Sequence, residues 1–255
     1  MMSRARRIPD LSARLVGAVS VIVALIAIEI LLRIGLLNVY VMPLPSAILA
    51  SLYRLVSQER LLQRFVLTFG EALAAGVVVT IVGVLAGFAL YRFRLLRAAT
   101  ETWVAAFSAA PLVLAYPLFM VVFGRSALTI IMLGFLAGLA PVVLKTLEGL
   151  AGVRPTLLNV GRSFKLSPSA LFWKVHFPAA VPTIFVGIRL SLIFALINVI
   201  GLEFLINFGG LGQLINELAE RYDLPGTYAA IVFVILVSVV FFAAVGRAER
   251  WLRPS

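Results

Sequence analysis

The stretch NVGRSFKLSPSALFWKVHFPAAVP, residues 159–182, is the most polar long segment in the middle of a hydrophobic chain. Pro155, just before it, suits the first turn of a short helix that reaches about residue 164. Ser167 followed by Pro168 is typical of an N-cap and a first helical residue, so it predicts a second helix, ending before Pro178. The stretch therefore predicts two short helices joined by a tight turn outside the membrane.

The rest of the chain has the composition of an integral membrane protein. Hydrophobic residues make up 62% of its 255 residues and charged residues 13%, and the mean hydropathy is +1.10. The net charge of +11 is the usual result of basic residues facing the cytoplasm, so we expect a lipid bilayer and no nucleic acid as partner. With no cysteine and one histidine, we expect neither a metal site nor a disulfide framework.

Six segments are apolar and long enough to cross a bilayer as helices, which takes about 20 residues. They are about 14–37, 65–91, 99–123, 126–147, 179–206 and 227–249. Pro111 and Pro117 should kink the third span or interrupt its hydrogen bonds, which indicates that it faces protein or a pathway. We therefore expect an all-α, polytopic membrane protein with six transmembrane helices in a single domain, 1–255.

Lysine and arginine are distributed unevenly among the connections between these spans. With the N-terminus inside, 15 face the cytoplasm and 5 face the other side. The cytoplasmic set is Arg4, Arg6, Arg7, Arg14, Arg92, Arg94, Arg97, Lys145, Arg154, Arg162, Lys165, Lys174, Arg247, Arg250 and Arg253. The bias predicts that both termini and the loop of about 148–178 are cytoplasmic, and that about 38–64 and 207–226 are extracytoplasmic.

Both extracytoplasmic segments show helical periodicity. Ser46 can cap a helix with one apolar face, and the segment after residue 207 carries a similar apolar stripe. Glu29 and Arg33 lie one helical turn apart near the outer end of the first span, so they can form an ion pair.

The opening stretch resembles the cytoplasmic signature loop of bacterial ABC importer permeases, the pattern E-A-A-x-x-x-G followed later by L-P. Asn159 falls on the glutamate, Gly161 on the second alanine, Lys165 on the glycine and Pro178 on the final proline. Five further fragments resemble the nitrate/sulfonate/taurine/bicarbonate branch in the same order, over about residues 41–250. These fragments are PLPSAIL, AAPLVLAYPLFMVVFG, PVVLKTLEGL, FPAAVPTIFVGIRLSLIFAL and EFLINFGGLGQLI.

This resemblance implies a type I ABC importer permease in a bacterial inner membrane, whose first loop helix, the coupling helix, docks on a cytoplasmic ATPase subunit. On spacing alone, a loop resting on anionic headgroups is an equal alternative, and the resemblance favours docking. The coupling residues implied are Leu157, Leu158, Asn159, Gly161, Arg162, Ser163, Phe164, Lys165, Leu166, Ser167 and Pro168.

The resemblance also implies the partners. They are cytoplasmic ATP-binding subunits, a second permease chain, identical or different, and an extracytoplasmic solute-binding protein. The chain has no G-x-x-x-x-G-K-[ST] loop, so ATP and Mg²⁺ are expected on the partner ATPase subunits and no cofactor on this chain. The branch implies a small polar or anionic solute.

Lys165 occupies a position where a left-handed glycine is a common solution. A lysine in that conformation costs about 1 kcal/mol, so either the turn differs or packing against the partner holds a mildly strained backbone.

Polar and aromatic residues within the spans are candidates for the translocation pathway. They are Tyr116, Phe119, Arg189, Asn198 and Glu203. Helix-to-helix hydrogen bonding is the alternative for the three polar residues, and core packing is the alternative for the two aromatic ones. The glycine pairs in GVLAG (83–87) and GFLAG (134–138) predict close helix packing.

The sequence argues against two other classes of function. A secondary transporter or channel should show inverted repeats or acidic residues at the centres of several spans, and the sequence shows neither. An intramembrane enzyme would need a nucleophile and a base, and no credible pair is present, so we expect no catalytic residue.

Overall fold

The computed structural model describes residues 10–252, with side chains described at positions 15–247 and 249. Within this range the chain is helical, with no strand. The helices are α1 (Asp10–Arg33), α2 (Pro45–Gln58), α3 (Leu61–Arg92), α4 (Arg94–Ser108), α5 (Tyr116–Phe123), α6 (Ala127–Ala151), α7 (Pro155–Ser163), α8 (Pro168–Leu171), α9 (Phe177–Ile206), α10 (Gly210–Glu220) and α11 (Leu224–Leu252). Arg4, Arg6, Arg7 and Arg253 of the predicted cytoplasmic set lie outside the described residues.

Five of the described helical stretches are long and apolar enough to cross a membrane: Leu15–Arg33, Leu61–Arg92, Ala127–Ala151, Pro168–Ile206 and Leu224–Arg247. The predicted third span is not one straight helix, because α4 and the stretch Leu112–Phe123 meet at an angle of 92°. Counting this bent pair as one span restores the predicted six. The all-α, polytopic prediction is therefore confirmed.

The bend lies where the sequence places Pro111. α4 ends at Ser108, and a short 3₁₀ turn, Leu112–Ala115, leads into α5. Pro111 cannot donate a backbone hydrogen bond and disfavours helical conformation in the preceding residue, so the helix stops there. Pro117 falls in the first turn of α5, where a missing N–H leaves no gap, so it does not itself kink a helix.

The centre of the protein is formed by α3, α6 and α9, which approach each other at glycines. A Cβ atom at Gly87 would lie 2.6 Å from the carbonyl oxygen of Val143, and one at Gly138 would lie 2.8 Å from that of Ser191. Neither backbone could stay in place if those glycines carried a side chain. The close-packing role predicted for these glycine motifs is confirmed.

The side opposite α7, called here the far side, is covered by α2 and α10. A cluster of leucines joins these helices to the start of α3, namely Leu55, Leu61, Leu211, Leu214 and Leu218. Ion pairs surround the cluster, joining Arg54 to Asp223, Arg64 to Glu217 at 2.7 Å and Arg221 to Glu59 at 2.9 Å. The hydrogen bond from Arg221 to Glu59 raises the pKa of Arg221, so this arginine stays charged.

The predicted pair of Glu29 and Arg33 forms, at 2.6 Å. The predicted capping role of Ser46 is wrong: α2 begins at Pro45, and Ser46 donates through both its backbone N–H and its hydroxyl to Glu29. Ser46 lies inside the first turn of α2, after Pro45, and its hydroxyl donates to the ionised carboxylate of Glu29, which makes a strong hydrogen bond. These contacts attach α1 to α2.

The second loop helix does not end before Pro178, contrary to the prediction. α8 continues through a π-helical segment, Phe172–His176, into α9, giving one helical stretch from Pro168 to Ile206. The wider π turn changes the hydrogen-bond pattern just before the proline, and Pro178 falls in the first turn of α9. The loop is therefore continuous with a membrane span.

Candidate functional site

The turn after α7 has the hydrogen bonds of a glycine-type helix end although it contains Lys165. The backbone N–H of Lys165 donates to the carbonyl of Arg162 at 2.8 Å, and that of Leu166 donates to the carbonyl of Gly161 at 3.3 Å. This is the Schellman pattern, which requires a left-handed residue, and Lys165 has a φ of +51°. Of the two alternatives left by the sequence, the strained backbone is the one observed.

Packing beneath α7 holds this turn. Gly161 is buried, and a Cβ at its position would meet the side chains of Leu171 and Val175. Ser167 caps α8 as predicted, because its hydroxyl accepts a hydrogen bond from the backbone N–H of Ala170 at 3.3 Å. α7 therefore lies directly against the start of the long helix that becomes α9.

His176 joins this assembly to a second span. It is buried, and its Nε2 lies 2.9 Å from the carbonyl oxygen of Leu150 at the end of α6. Its ring lies 5.3 Å from that of Tyr91 on α3 and 5.8 Å from that of Phe172, measured between ring centroids. Displacement of α7 would consequently be passed to α3, α6 and α9.

One face of α7 is apolar and uncovered. Leu157, Val160 and Phe164 recur at helical spacing and are 44%, 55% and 77% exposed. We call these three residues the docking face. Leu158 and Leu166, also among the predicted coupling residues, are half-buried and are not part of this face.

Val160 is a member of the docking face that the sequence analysis did not include. Its spacing of three and four residues from Leu157 and Phe164 was the available signal. Val160 falls on the first alanine of the family pattern and was not among the coupling residues that the resemblance implied. On the neighbouring face, Arg162 donates to the side-chain oxygen of Asn159 at 3.2 Å. The polar residues of α7 therefore bond to one another and leave the docking face apolar.

A groove of ≈ 450 Å³ opens beside the bend between α4 and α5. Its lining combines the bend with one side of α9, and includes Ser108, Pro111, Ala137, Phe194, Asn198 and Gly201. The amide nitrogen of Asn198 donates to the carbonyl of Phe194 at 2.9 Å. Asn198 is the one residue of the five predicted pathway candidates that lines this groove.

The other four candidates lie apart from the groove. Tyr116 and Phe119 pack against the buried cluster that contains Ile130 and Leu133. Arg189 lies in the half of α9 nearer the loop, with its guanidinium 3.7 Å from the carboxylate of Glu249.

Glu203, the fourth of these, is fully buried at the far side, where it accepts hydrogen bonds from Thr68 and from the backbone of Gly212. Apart from Asn198, the residues of α9 that line the groove are apolar or small.

Bent and continuous spans packed through glycines, with a helix-turn-helix carried on one side, define a transporter membrane subunit. The chain belongs to the family described as the binding-protein-dependent transport system inner membrane component, whose model matches residues 79–254. Members of this family are ABC importer permeases, which work with separate ATPase subunits and a binding protein. The chain is therefore a multi-pass, non-enzymatic transport subunit, and a secondary transporter is not favoured.

Individual relatives agree with this assignment. The chain is 31% identical over 196 residues to a probable ABC transporter permease protein of Brucella melitensis, covering 77% of this chain and 75% of the relative. It is 27% identical over 224 residues to the putative aliphatic sulfonates transport permease protein SsuC of Bacillus subtilis, covering 86% and 79%.

Among solved structures, the chain shares the fold of an inward-facing MetNI methionine ABC transporter, with a TM-score of 0.64. The sequence identity is 20%, and the match covers 75% of this chain and 96% of that chain.

Proposed function

We propose that α7 is the coupling helix of this permease and that its docking face binds a cytoplasmic ATPase subunit. The observation that carries the proposal is an exposed apolar face on a short helix whose other side packs against the start of the helical stretch that becomes α9. Apolar side chains that project from a rigid element are typical of residues that dominate an interface. Movement of the ATPase would then be transmitted through α7 to α9.

The complex would contain a second permease chain, identical or different, and the two chains would enclose the pathway. The groove beside Asn198 supports this arrangement because it is open on the surface of the single chain. Alternating access would follow if tilting of α9 opens the groove to one side of the membrane at a time. ATP and Mg²⁺ would be bound by the ATPase subunits.

The chemistry of the groove indicates the class of solute. Its lining contains the amide of Asn198 and the hydroxyl of Ser108, and no lysine, arginine, aspartate or glutamate. Such a lining suits a small polar solute that passes through without being held tightly. Aliphatic sulfonates, named for the Bacillus subtilis relative, and formylaminopyrimidine, named for a similar permease of Halalkalibacterium halodurans, are compatible classes. The extracytoplasmic binding protein would supply most of the selectivity.

The orientation proposed from the positive charges puts α7 and both termini in the cytoplasm. The absence of native cysteine permits a direct test with single cysteines introduced at Ser163 in α7 and Ser57 in α2. A membrane-impermeant thiol reagent added to intact cells should label the cysteine at 57 and spare the one at 163. Labelling of position 163 alone would reverse the orientation.

The experiment that tests the proposed function is reconstitution in vesicles. Uptake of a solute should require this chain, its second permease chain, the ATPase subunits, ATP and the binding protein together. Uptake driven by an ion gradient in vesicles that hold this chain alone would refute the proposal. The substitution Phe164→Asp should abolish uptake, because loss of a central interface residue costs about 2 kcal/mol or more, about 30-fold in affinity.

A matched control is available on another part of the surface. Leu95 is 85% exposed at the start of α4, a helix that packs against α3 and α6 rather than against α7. Leu95→Asp introduces the same charge and should leave uptake unchanged. Equal loss of uptake in both variants would mean that a new surface charge, rather than the docking face, causes the defect.

A further inference from the structure

Two buried glutamates lie next to each other and do not line the groove. Glu71 on α3 is 5% exposed and Glu203 on α9 is fully buried, and the hydroxyl of Thr68, one helical turn before Glu71, donates to Glu203, so the two carboxyl groups lie side by side. Both oxygens of Glu71 and Oε1 of Glu203 have no hydrogen-bond donor among the described residues. Two carboxylates without a donor between them would repel each other strongly at this separation.

The remaining oxygen of Glu203 is fully engaged at the N-terminus of α10. Its Oε2 accepts from the backbone N–H of Gly212 and from the hydroxyl of Thr68, both at 2.9 Å. The hydroxyl of Thr68 in turn accepts from the backbone N–H of Leu211 at 2.8 Å. Since a helix N-terminus and two donors favour an ionised acceptor, Glu203 is the carboxylate of the pair. Glu71, which has no such donors, is its neutral partner.

No cation offsets a second negative charge here. Other charged residues of the packed helices are Arg64 and Arg92 on α3, Lys145 and Glu148 on α6, Arg189 on α9, Glu217 and Glu220 on α10, and Arg247, Glu249 and Arg250 on α11. Arg64 is the nearest of these along α3, and it pairs with Glu217 at 2.7 Å. Among the described side chains, neither glutamate of the buried contact takes part in an ion pair.

A metal ion fits the site less well than a proton. Among the described residues, no group of three or more histidine, cysteine, aspartate or glutamate side chains is placed to hold a metal ion, so the two carboxyl groups lack the further ligands that a cation needs. The backbone at Gly210 also packs directly against the carboxylate of Glu203, because a Cβ atom there would meet it. A proton needs neither further ligands nor added space.

We infer that Glu71 and Glu203 together bind one proton, and that this shared proton holds α10 against α3 and α9. The hydroxyl of Glu71 donates to Oε1 of Glu203, while Oε2 of Glu203 holds the first turn of α10. Removal of the proton leaves two buried carboxylates side by side, and their repulsion displaces Glu203 from the amides of α10. The pair is thus a proton-dependent latch on the far-side helix.

Infrared spectroscopy of the assembled transporter in lipid tests proton binding directly. At neutral pH the wild type should show the carbonyl stretch of a neutral carboxylic acid that is missing in Glu71→Gln, and alkaline pH should remove it. Glu220→Gln, which changes an exposed carboxylate of α10, should keep the band. A wild-type spectrum without a neutral carboxyl, or a band unchanged in Glu71→Gln, would overturn the inference. The wild-type titration alone decides the matter if that variant does not assemble.

Hydrogen exchange tests the latch. After correction for the intrinsic effect of pH, the amides of Leu211 and Gly212 in the wild type should lose protection by about tenfold or more at alkaline pH, as a charge-assisted hydrogen bond is lost. In Glu71→Gln the amide donates to Glu203 and has no proton to release, so protection should not change with pH. Equal loss in both proteins would show that another group controls α10. Neither outcome depends on uptake, so it is independent of the proposed function.

Discussion

Replacing Lys165 by glycine should stabilise the turn that follows the coupling helix. Lys165 has a φ of +51°, where a side chain costs about 1–2 kcal/mol, whereas glycine adopts this conformation freely. Glycine also loses about 0.5–1 kcal/mol more backbone entropy on ordering, so the net gain is about 0.5–1 kcal/mol. The free energy of local opening should rise by that amount in the Lys165→Gly variant. This corresponds to about two- to fivefold greater protection of the backbone amides at positions 165 and 166. Hydrogen exchange followed by mass spectrometry on the loop peptide measures this directly.

The matched control is Arg162→Gly in the last turn of α7. Arg162 occupies an ordinary helical position, so glycine should lower protection there by about 1 kcal/mol, with a smaller further loss of its bond to Asn159. The same change of a basic residue to glycine therefore has opposite signs at two positions three residues apart. We also expect Lys165→Gly to retain transport. Lower protection in Lys165→Gly would refute the view that the turn is strained.

Two further predictions concern the packing that supports the loop. Gly87→Ala should lower the thermal unfolding midpoint in detergent, with a cost of about 1–3 kcal/mol, because its Cβ would meet the backbone of Val143. Gly17→Ala in α1, with no atom within 4 Å, should not lower it, because alanine favours a helix more than glycine does. His176→Phe should preserve the ring contacts but remove the hydrogen bond to Leu150, which should cost about 1–3 kcal/mol and make the loop more sensitive to protease. An unfolding midpoint and a cleavage rate equal to those of the wild type would contradict a role of this hydrogen bond in holding the loop.

Local signals in the sequence predicted much of this fold because they act over one helical turn or one membrane thickness. Apolar length identified the spans, and the Ser167-Pro168 pair located the start of α8. Lysine at the glycine position of the family pattern left two alternatives, a different turn or a strained backbone, and the φ of Lys165 identifies the second. Each of these features depends on neighbouring residues alone.

The sequence could not predict features that depend on how distant segments meet. A proline usually ends a helix, but the π segment before Pro178 lets the loop run on into α9. A role for Glu71 could not be predicted, because it depends on Glu203, which is 132 residues away in sequence and adjacent in the fold. Asn198 and Glu203 both lie on α9. Asn198 lines the groove, whereas α10 packs over Glu203 and closes it off, and the sequence alone does not show this difference.

The central claim, that the docking face of α7 contacts the ATPase, is tested most directly by photo-cross-linking. A benzophenone attached to a single cysteine at Phe164 in the assembled transporter should produce a covalent product between this chain and the ATPase subunit. The same probe at Leu95, equally exposed on α4, should not. If the docking face contacts the ATPase subunit, cross-linking to that subunit should occur from position 164 and not from position 95. A probe at 164 that reacts only with lipid, while the transporter remains assembled, would contradict it.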